Sequence, residues 1–251
     1  MNFGFGIDIT ERIQAEQERE KLLEELTKQN EELKQFAYIT SHDLKEPLRT
    51  VSGFAAILKR KYADKLDKRG IEFLNFIIDG TARMCNLLTS LKSFVNVDAG
   101  NLKNKEKEVN AHLIINNALE NLKLKIQETE AVIHVPSNFP VIKGHPEYLT
   151  LLFQNLIVNG LKFCKDTPHI HIQWQEEETH FQFAVQDNGI GIKPEHQEKI
   201  FRLFNRLDKK RKDGSGIGLS ICKKIVELHN GTMWVESDGS TGSTFFFTLK
   251  R

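Results

Sequence analysis

The sequence predicts an α+β protein of two domains: a helical hairpin that pairs with a second copy into a dimeric four-helix bundle, then a layered α/β domain. Three observations predict this. Seam residues recur at alternating spacings of 3 and 4 from Leu23 onward. A wide apolar stripe covers residues 71–94. Beyond a polar stretch the pattern changes to mixed strands and helices. Apolar residues are 39% of the 251, enough for folded cores, and 27% are charged. A net charge of +1, from 35 Lys+Arg against 34 Asp+Glu, leaves no basic stripe for nucleic acid. No apolar run reaches the roughly 18–20 residues that span a bilayer, so no direct membrane span is expected in this chain.

Residues 1–10 (MNFGFGIDIT) alternate like a short strand without partners, and read as the remnant of an upstream domain. Residues 11–35 are rich in Glu, Lys, Gln and Leu, all good helix formers. The seam Leu23, Leu26, Asn30, Leu33, Ala37, Thr40, Leu44 reads as a coiled coil, with Asn30 at an a position favouring two parallel strands. A single surface helix is the simpler alternative. Residues 36–97 form the hairpin, with Pro47 expected to bend its first helix and a link near 63–70. One hairpin cannot bury both apolar stripes; two can, so a homodimer is expected. Residues 98–108 (DAGNLKNKEKE) are a polar linker, and 109–251 the α/β domain. Helices are expected near 111–127, 146–163 and 218–229, and strands near 131–135, 169–174, 181–185, 232–236 and 244–249.

Four motifs carry chemistry. In S-H-D-L-K-E-P-L, residues 41–48, His42 falls at f, away from the seam. An exposed histidine beside an acid is ordinarily bland. Its functional reading is a nucleophile, since a histidine needs no strong base, with Asp43 fixing the tautomer and freeing the other nitrogen. In Q-N-L-I-V-N-G-L-K-F, residues 154–163, Asn155 and Asn159 share one helix face and Lys162 follows three later. Amide oxygens suit Mg2+ and the lysine suits phosphate; a buried polar network is the alternative. In D-N-G-I-G-I, residues 187–192, Asp187 can accept from an exocyclic amine such as that of adenine, against a plain strand-ending turn. In G-S-G-I-G-L, residues 214–219, a glycine loop opens a helix and presents free N–H groups to phosphate. Between the last two, I-F-R-L-F-N-R-L offers Phe201 and Phe204 as anchors of a lid and Arg206 as a reach toward phosphate.

Cys85, Cys164 and Cys222 are isolated and read as reduced, buried thiols of a cytoplasmic protein; a membrane tether elsewhere in a longer protein is compatible with this. His169 and His171 share a strand face, either as a metal pair or, more simply, as exposed polar surface.

Taken in order, these residues resemble the sensor histidine kinases of two-component signalling. Residues 42–48 resemble the phosphoacceptor box, 155–163 the N box, 187–192 and 214–219 the two glycine boxes, and 200–206 the F box. Residues 7–12 are similar to the closing strand and exit of a PAS sensor domain. The resemblance implies a dimeric bundle joined to an ATP-binding α/β sandwich of the Hsp90/gyrase/MutL type. It implies ATP with Mg2+, phosphorylation of His42, and transfer to an aspartate on a response regulator receiver domain. Asp43 matches the acidic partner, Asn159 the principal Mg2+ ligand with Asn155 close by, and Asp187 the adenine-binding carboxylate. Gly189, Gly191, Gly216 and Gly218 match nucleotide-lining glycines, and Gly214, Lys162 and Arg206 fall in the same site.

Three positions depart from the pattern. Gly160 stands where Ala is commoner, at a cost of about 1 kcal/mol in a helix interior. His145 replaces the Asp of the turn before the N-box helix, which should alter capping. Glu46 stands four after His42, where many relatives use Thr or Asn for phosphatase activity; an ionised carboxylate has no hydrogen to donate, so kinase-dominant behaviour is expected. Two other functions compete: a dimeric scaffold that binds nucleotide without transfer, and an ATPase of the chaperone or mismatch-repair type. The intact His42, Asp43, Asn159 and Asp187 oppose the first. Asn155, where such ATPases resemble one another in carrying a glutamate base, opposes the second.

Overall fold

The computed structural model describes residues 10–97, 106–205 and 215–251. The PAS-like remnant, most of the linker, Arg206 and Gly214 lie outside the described residues, as do the side chains of the seam positions Asn30 and Leu33. The hairpin consists of α1 (Thr10–Tyr62), a short 3₁₀ turn (Ala63–Lys65) and α2 (Lys68–Asn96). Asp67 caps α2 by accepting from the Gly70 N–H at 2.7 Å. α1 continues through Pro47 as a single helix. An exposed position tolerates the missing donor, because water can satisfy the carbonyl one turn back.

Within one chain, α1 turns Ser41 and Ala55 inward and α2 turns Thr81 inward. A larger apolar set stays exposed on the two helices, including Ile39, Phe54, Phe73 and Met84. That is the surplus expected of half a bundle. Leu44, the last residue of the predicted seam, is 48% exposed.

The second domain begins with β1 (Lys107–Asn110), which pairs antiparallel with β3 (Val141–Gly144). Neither strand is expected from the sequence, because β1 is mostly charged and polar (Lys107, Glu108, Asn110) and β3 has only two β-branched residues before Lys143 and Gly144. The end of the predicted linker is therefore a strand. α3 (Ala111–Asn121) and α4 (Lys123–Glu128) replace the single helix expected over 111–127, with a break at Leu122. A five-stranded sheet follows in the order β2–β4–β5–β7–β6, from β2 (Val132–His134), β4 (His169–Glu176), β5 (His180–Asp187), β6 (Met233–Glu236) and β7 (Ser243–Lys250). β2 lies parallel to β4 and every other pair is antiparallel. α5 (Pro146–Lys162) packs between α3 on one side and α7 (Gly218–Leu228) on the other. α6 (Pro194–Gln197) and a 3₁₀ turn (Lys199–Phe201) link the sheet to the second glycine loop.

The core forms where alternate strand residues meet the helices. Phe183 of β5 stands opposite Phe247 of β7, and their rings stack at 5.2 Å. Phe153 of α5 meets both edge-on, at 5.9 and 5.5 Å. Each such aromatic contact adds about 0.5–1.5 kcal/mol beyond its buried area. The end of α2 joins this core. Val97 is fully buried, Tyr148 Oη donates to the Asn96 carbonyl at 3.0 Å, and Lys224 Nζ donates to the Phe94 carbonyl at 2.9 Å.

Of the three cysteines, only Cys222 is buried; Cys85 and Cys164 are half-buried, and all three are free thiols. Cys164 lies beyond the end of α5, where its Sγ donates to Asn188 Oδ1 at 2.9 Å. His171 stacks on His134 at 4.3 Å, and no group of three or more metal-ligating side chains occurs among the described residues.

His145 provides no side-chain cap to α5. Its backbone N–H instead donates to Nε2 of buried His229 at 3.1 Å, while His229 Nδ1 faces the Ile225 carbonyl at 2.7 Å. Nδ1 must carry the proton and Nε2 must accept, so the neutral ring is fully used. Gly144 makes room, since a Cβ there would lie 2.6 Å from the ring. Burial lowers the pKa of His229 below its ordinary 6.5. A lowered folded pKa means the unfolded chain binds the extra proton, so stability falls as pH drops below about 6.5. Thermal melts between pH 8 and 5 should show this decline. His229→Gln should melt lower at pH 8 yet change less with pH; an equal pH dependence in the two proteins would count against this role.

Candidate nucleotide-binding site

α5 explains how the site is made. One face carries Leu149, Leu152, Phe153, Leu156 and Ile157 into the core, all at most 1% exposed. The other face carries Asn155, Asn159 and Lys162 into a cleft of about 650 Å³, within the range of small-molecule sites. Asp187, Gly191, Gly216 and Gly218 line the same cleft. These seven residues therefore converge from three separated segments, whereas Gly189 does not line the cleft.

Asn155 Nδ2 donates to the Leu151 carbonyl at 2.8 Å, which fixes the amide. Its Oδ1 then faces Gly218, where a Cβ would approach to 2.8 Å. Asn159 makes no side-chain hydrogen bond among the described residues, and its amide lines the cleft. Two amide oxygens one helical turn apart, beside a lysine, fit a hard cation that also carries phosphate oxygens. The N-terminus of α7 has no side-chain cap, so its N–H groups remain available to an anion.

Asp187 ends β5 and is half-buried. Its Oδ1 accepts from the Gly189 N–H at 2.8 Å. Burial raises its pKa, outweighing the nearby Gly189 and Ser243 N–H groups, which favour the charge. A carboxylate in this state gains from an added donor such as an amine. Asn188 is structural: its Oδ1 accepts from the His169 N–H at 2.8 Å and its Nδ2 donates to the Thr167 carbonyl at 3.0 Å. Gly191 has φ of +74°, and a Cβ there would lie 2.5 Å from the Ser240 N. Ser237 ties this box to the facing loop, accepting from the Ile192 N–H at 2.8 Å and donating to the Gly242 carbonyl at 2.6 Å. Gly160 has a packing reason, since a Cβ would lie 2.9 Å from Ile170 Cδ1 and 3.3 Å from Asp187 Cβ.

The lid anchors differ from expectation. Ile200 is buried and Phe201 packs on the core, but Phe204 is 59% exposed with φ of +59°. Asn205 takes the structural part at this turn, donating to the Lys199 carbonyl at 2.6 Å. Sequence reasoning also missed Asn205, Ser215 and Lys125 in the cleft wall, and Asn86 of α2. Asn205 and Ser215 fall within the F box and the second glycine box but carried no role there; Asn86 and Lys125 lie in no motif, and only the tertiary arrangement brings them there.

His42 and Asp43 sit on α1, both about 70% exposed, with His42 Nδ1 at 3.2 Å from Asp43 Oδ1. They lie outside the cleft lining. On the same stretch Lys45 Nζ donates to Thr89 Oγ1 of α2 at 3.2 Å, and Glu46 makes no ion pair among the described residues. No helix among the described residues is long and apolar enough to cross a membrane.

Comparison with known proteins agrees with this geometry. Residues 32–100 match the His Kinase A (phospho-acceptor) domain, and residues 144–251 match the histidine kinase-, DNA gyrase B- and HSP90-like ATPase. The chain is similar to phytochrome-like protein Cph1 of Synechocystis sp., at 41% identity over 94% of this chain and 31% of that protein. It is also similar to the methanogenesis regulatory histidine kinase FilI of Methanothrix harundinacea, at 32% identity over 94% of this chain and 27% of that protein. The chain thus spans under a third of the length of these two relatives. The fold matches full-length ShkA, solved in complex with AMPPNP, with a TM-score of 0.65, 21% identity, and coverage of 86% of this chain and 45% of that one. A phosphoacceptor hairpin followed by this ATP-binding fold places the chain in the sensor histidine kinase family of two-component signalling.

Proposed function

We propose that the chain binds ATP with Mg2+ in the α5 cleft, phosphorylates His42, and passes the phosphoryl group to an aspartate of a response regulator receiver domain. The observation that carries this is the shared wall of the cleft. Asn86 of α2 lines it beside Asn155, Asn159 and Asp187, so the nucleotide site borders the hairpin whose other helix bears His42.

Asp187 would accept from the adenine amine, and the glycine segments would let the backbone approach the sugar and phosphates. Asn159, with Asn155, would hold Mg2+, which neutralises charge on the phosphate oxygens when bound. Lys162 adds a cation at the same face. The contact between His42 Nδ1 and Asp43 sets the tautomer: Nδ1–H donates to the carboxylate and the Nε2 lone pair is free. Nε2 forms the new bond to the γ-phosphorus as the bond from that phosphorus to the β–γ bridging oxygen breaks. ADP leaves with that electron pair, and the Nδ1 proton stays with the ring or passes to Asp43. Asp43 stabilises the positive charge that builds on the ring. The exposed apolar surface of α1 and α2 supports a homodimer, in which a second hairpin completes the bundle.

Three outcomes test this reading. His42→Gln should abolish acid-labile, base-stable label from γ-labelled ATP while ATP binding persists; acid-labile label on that variant would overturn the assignment. Light scattering on the full chain should give twice the 28.9 kDa chain mass, and a monomer at micromolar concentration would count against the bundle. Acidification should weaken ATP binding as Asp187 takes up a proton, at a pH above that of an ordinary aspartate because burial raises its pKa. Asp187→Asn should bind ATP at least tenfold more weakly, with this acid-induced loss gone, on the scale of a charged hydrogen bond. Unaltered affinity would remove the adenine role.

A further inference from the structure

We propose that Lys125 is a second cation for the polyphosphate of the bound nucleotide, in addition to Lys162; this rests on the ATP reading above. Lys125 belongs to no nucleotide-binding motif and lies between the two segments that match known domains, which end at residue 100 and begin at residue 144. It is in the last turn of α4, half-buried, and lines the α5 cleft.

Its surroundings offer it no ion-pair partner among the described residues. The neighbouring Lys123 pairs with Glu120 at 3.0 Å, but no carboxylate lies within ion-pair distance of the Lys125 ammonium among the described residues. A lysine with no carboxylate partner lining a cleft is open to an anion placed there. The cleft is arranged so that such an anion would meet it. α3 packs along one side of α5 and α7 along the other. The cleft over α5 is therefore walled by Lys125 of α4, and by Gly216, Gly218 and the uncapped start of α7. A polyphosphate along the Asn155–Asn159–Lys162 face lies between a lysine and a helix N-terminus, and takes donors from both walls. The simpler role for Lys125 is to complement the C-terminal end of the α4 dipole, which needs no ligand.

The test is a binding series on the full chain with adenosine, ADP and ATP, comparing wild type with Lys125→Gln and Lys125→Arg. Lys125→Gln should weaken ADP and ATP by about tenfold, the loss of one partly solvated charge-assisted hydrogen bond, while adenosine binding is unchanged. Lys125→Arg should restore most of the ATP affinity, and the dependence of ATP affinity on salt should be shallower in Lys125→Gln than in wild type. Wild-type ATP affinity in Lys125→Gln would overturn the inference, as would equal weakening of adenosine and ATP, which marks a purely structural role. A wild-type chain that binds none of the three would overturn the ATP reading itself.

Discussion

The structure depends on the two-sidedness of α5. A single helix must bury one face on the sheet and present the other to a ligand, and the 3.6-residue period divides its residues between those tasks. Leu152, Phe153, Leu156 and Ile157 fix its depth and rotation through the Phe153–Phe183–Phe247 cluster. Asn155, Asn159 and Lys162 are then held in the cleft without a fold of their own. Any change that rotates α5 moves all three together, so core packing and ligand geometry are one constraint.

The same helix explains the close contacts around it. Gly160 brings the helix against Ile170 and Asp187, which places the Asp187 carboxylate in the same cleft as the Asn155 and Asn159 amides. At its other end, His145 and His229 replace a conventional cap with a buried hydrogen bond between α5 and α7. The cost is a group that must stay neutral, which makes the domain's stability sensitive to acid.

The helical domain is built on the opposite logic. Its first helix carries His42 and Asp43 in solvent, where, on the function proposed here, a reacting nitrogen would be open to a nucleotide on one occasion and to a receiver domain on another. A buried histidine could meet neither. The C-terminal end of α2 is anchored to the ATP-binding domain through Val97, Tyr148 and Lys224. Phe94 offers both its backbone carbonyl and its ring, over which Lys224 Nζ lies at 4.5 Å, and Val97 buries its side chain, so the junction holds the end of the helix through backbone and side chain together.

The sequence by itself determined the order of the domains, the long helices, the larger strands and the residues of the four motifs. These are local patterns: period 3.6 in α2 and α5, period 2 in β5 and β7, and glycines beside charged or amide groups. It missed β1 and β3 because their residues, Lys-Glu-Val-Asn and Val-Ile-Lys-Gly, are largely poor strand formers and are held as strands by pairing with each other. It took α3 and α4 as one helix, since the break at Leu122 leaves composition unchanged. It named Phe201 and Phe204 as anchors on hydrophobicity alone; Phe201 packs on the core beside buried Ile200, whereas Phe204 is exposed. Tertiary structure alone decided that Asn86 and Lys125 reach the cleft, because each comes from an element distant in sequence and neither lies in a motif. The separation has a physical reason: hydrophobic period is written along one chain segment, but a cleft wall is written by whichever segments the core brings side by side.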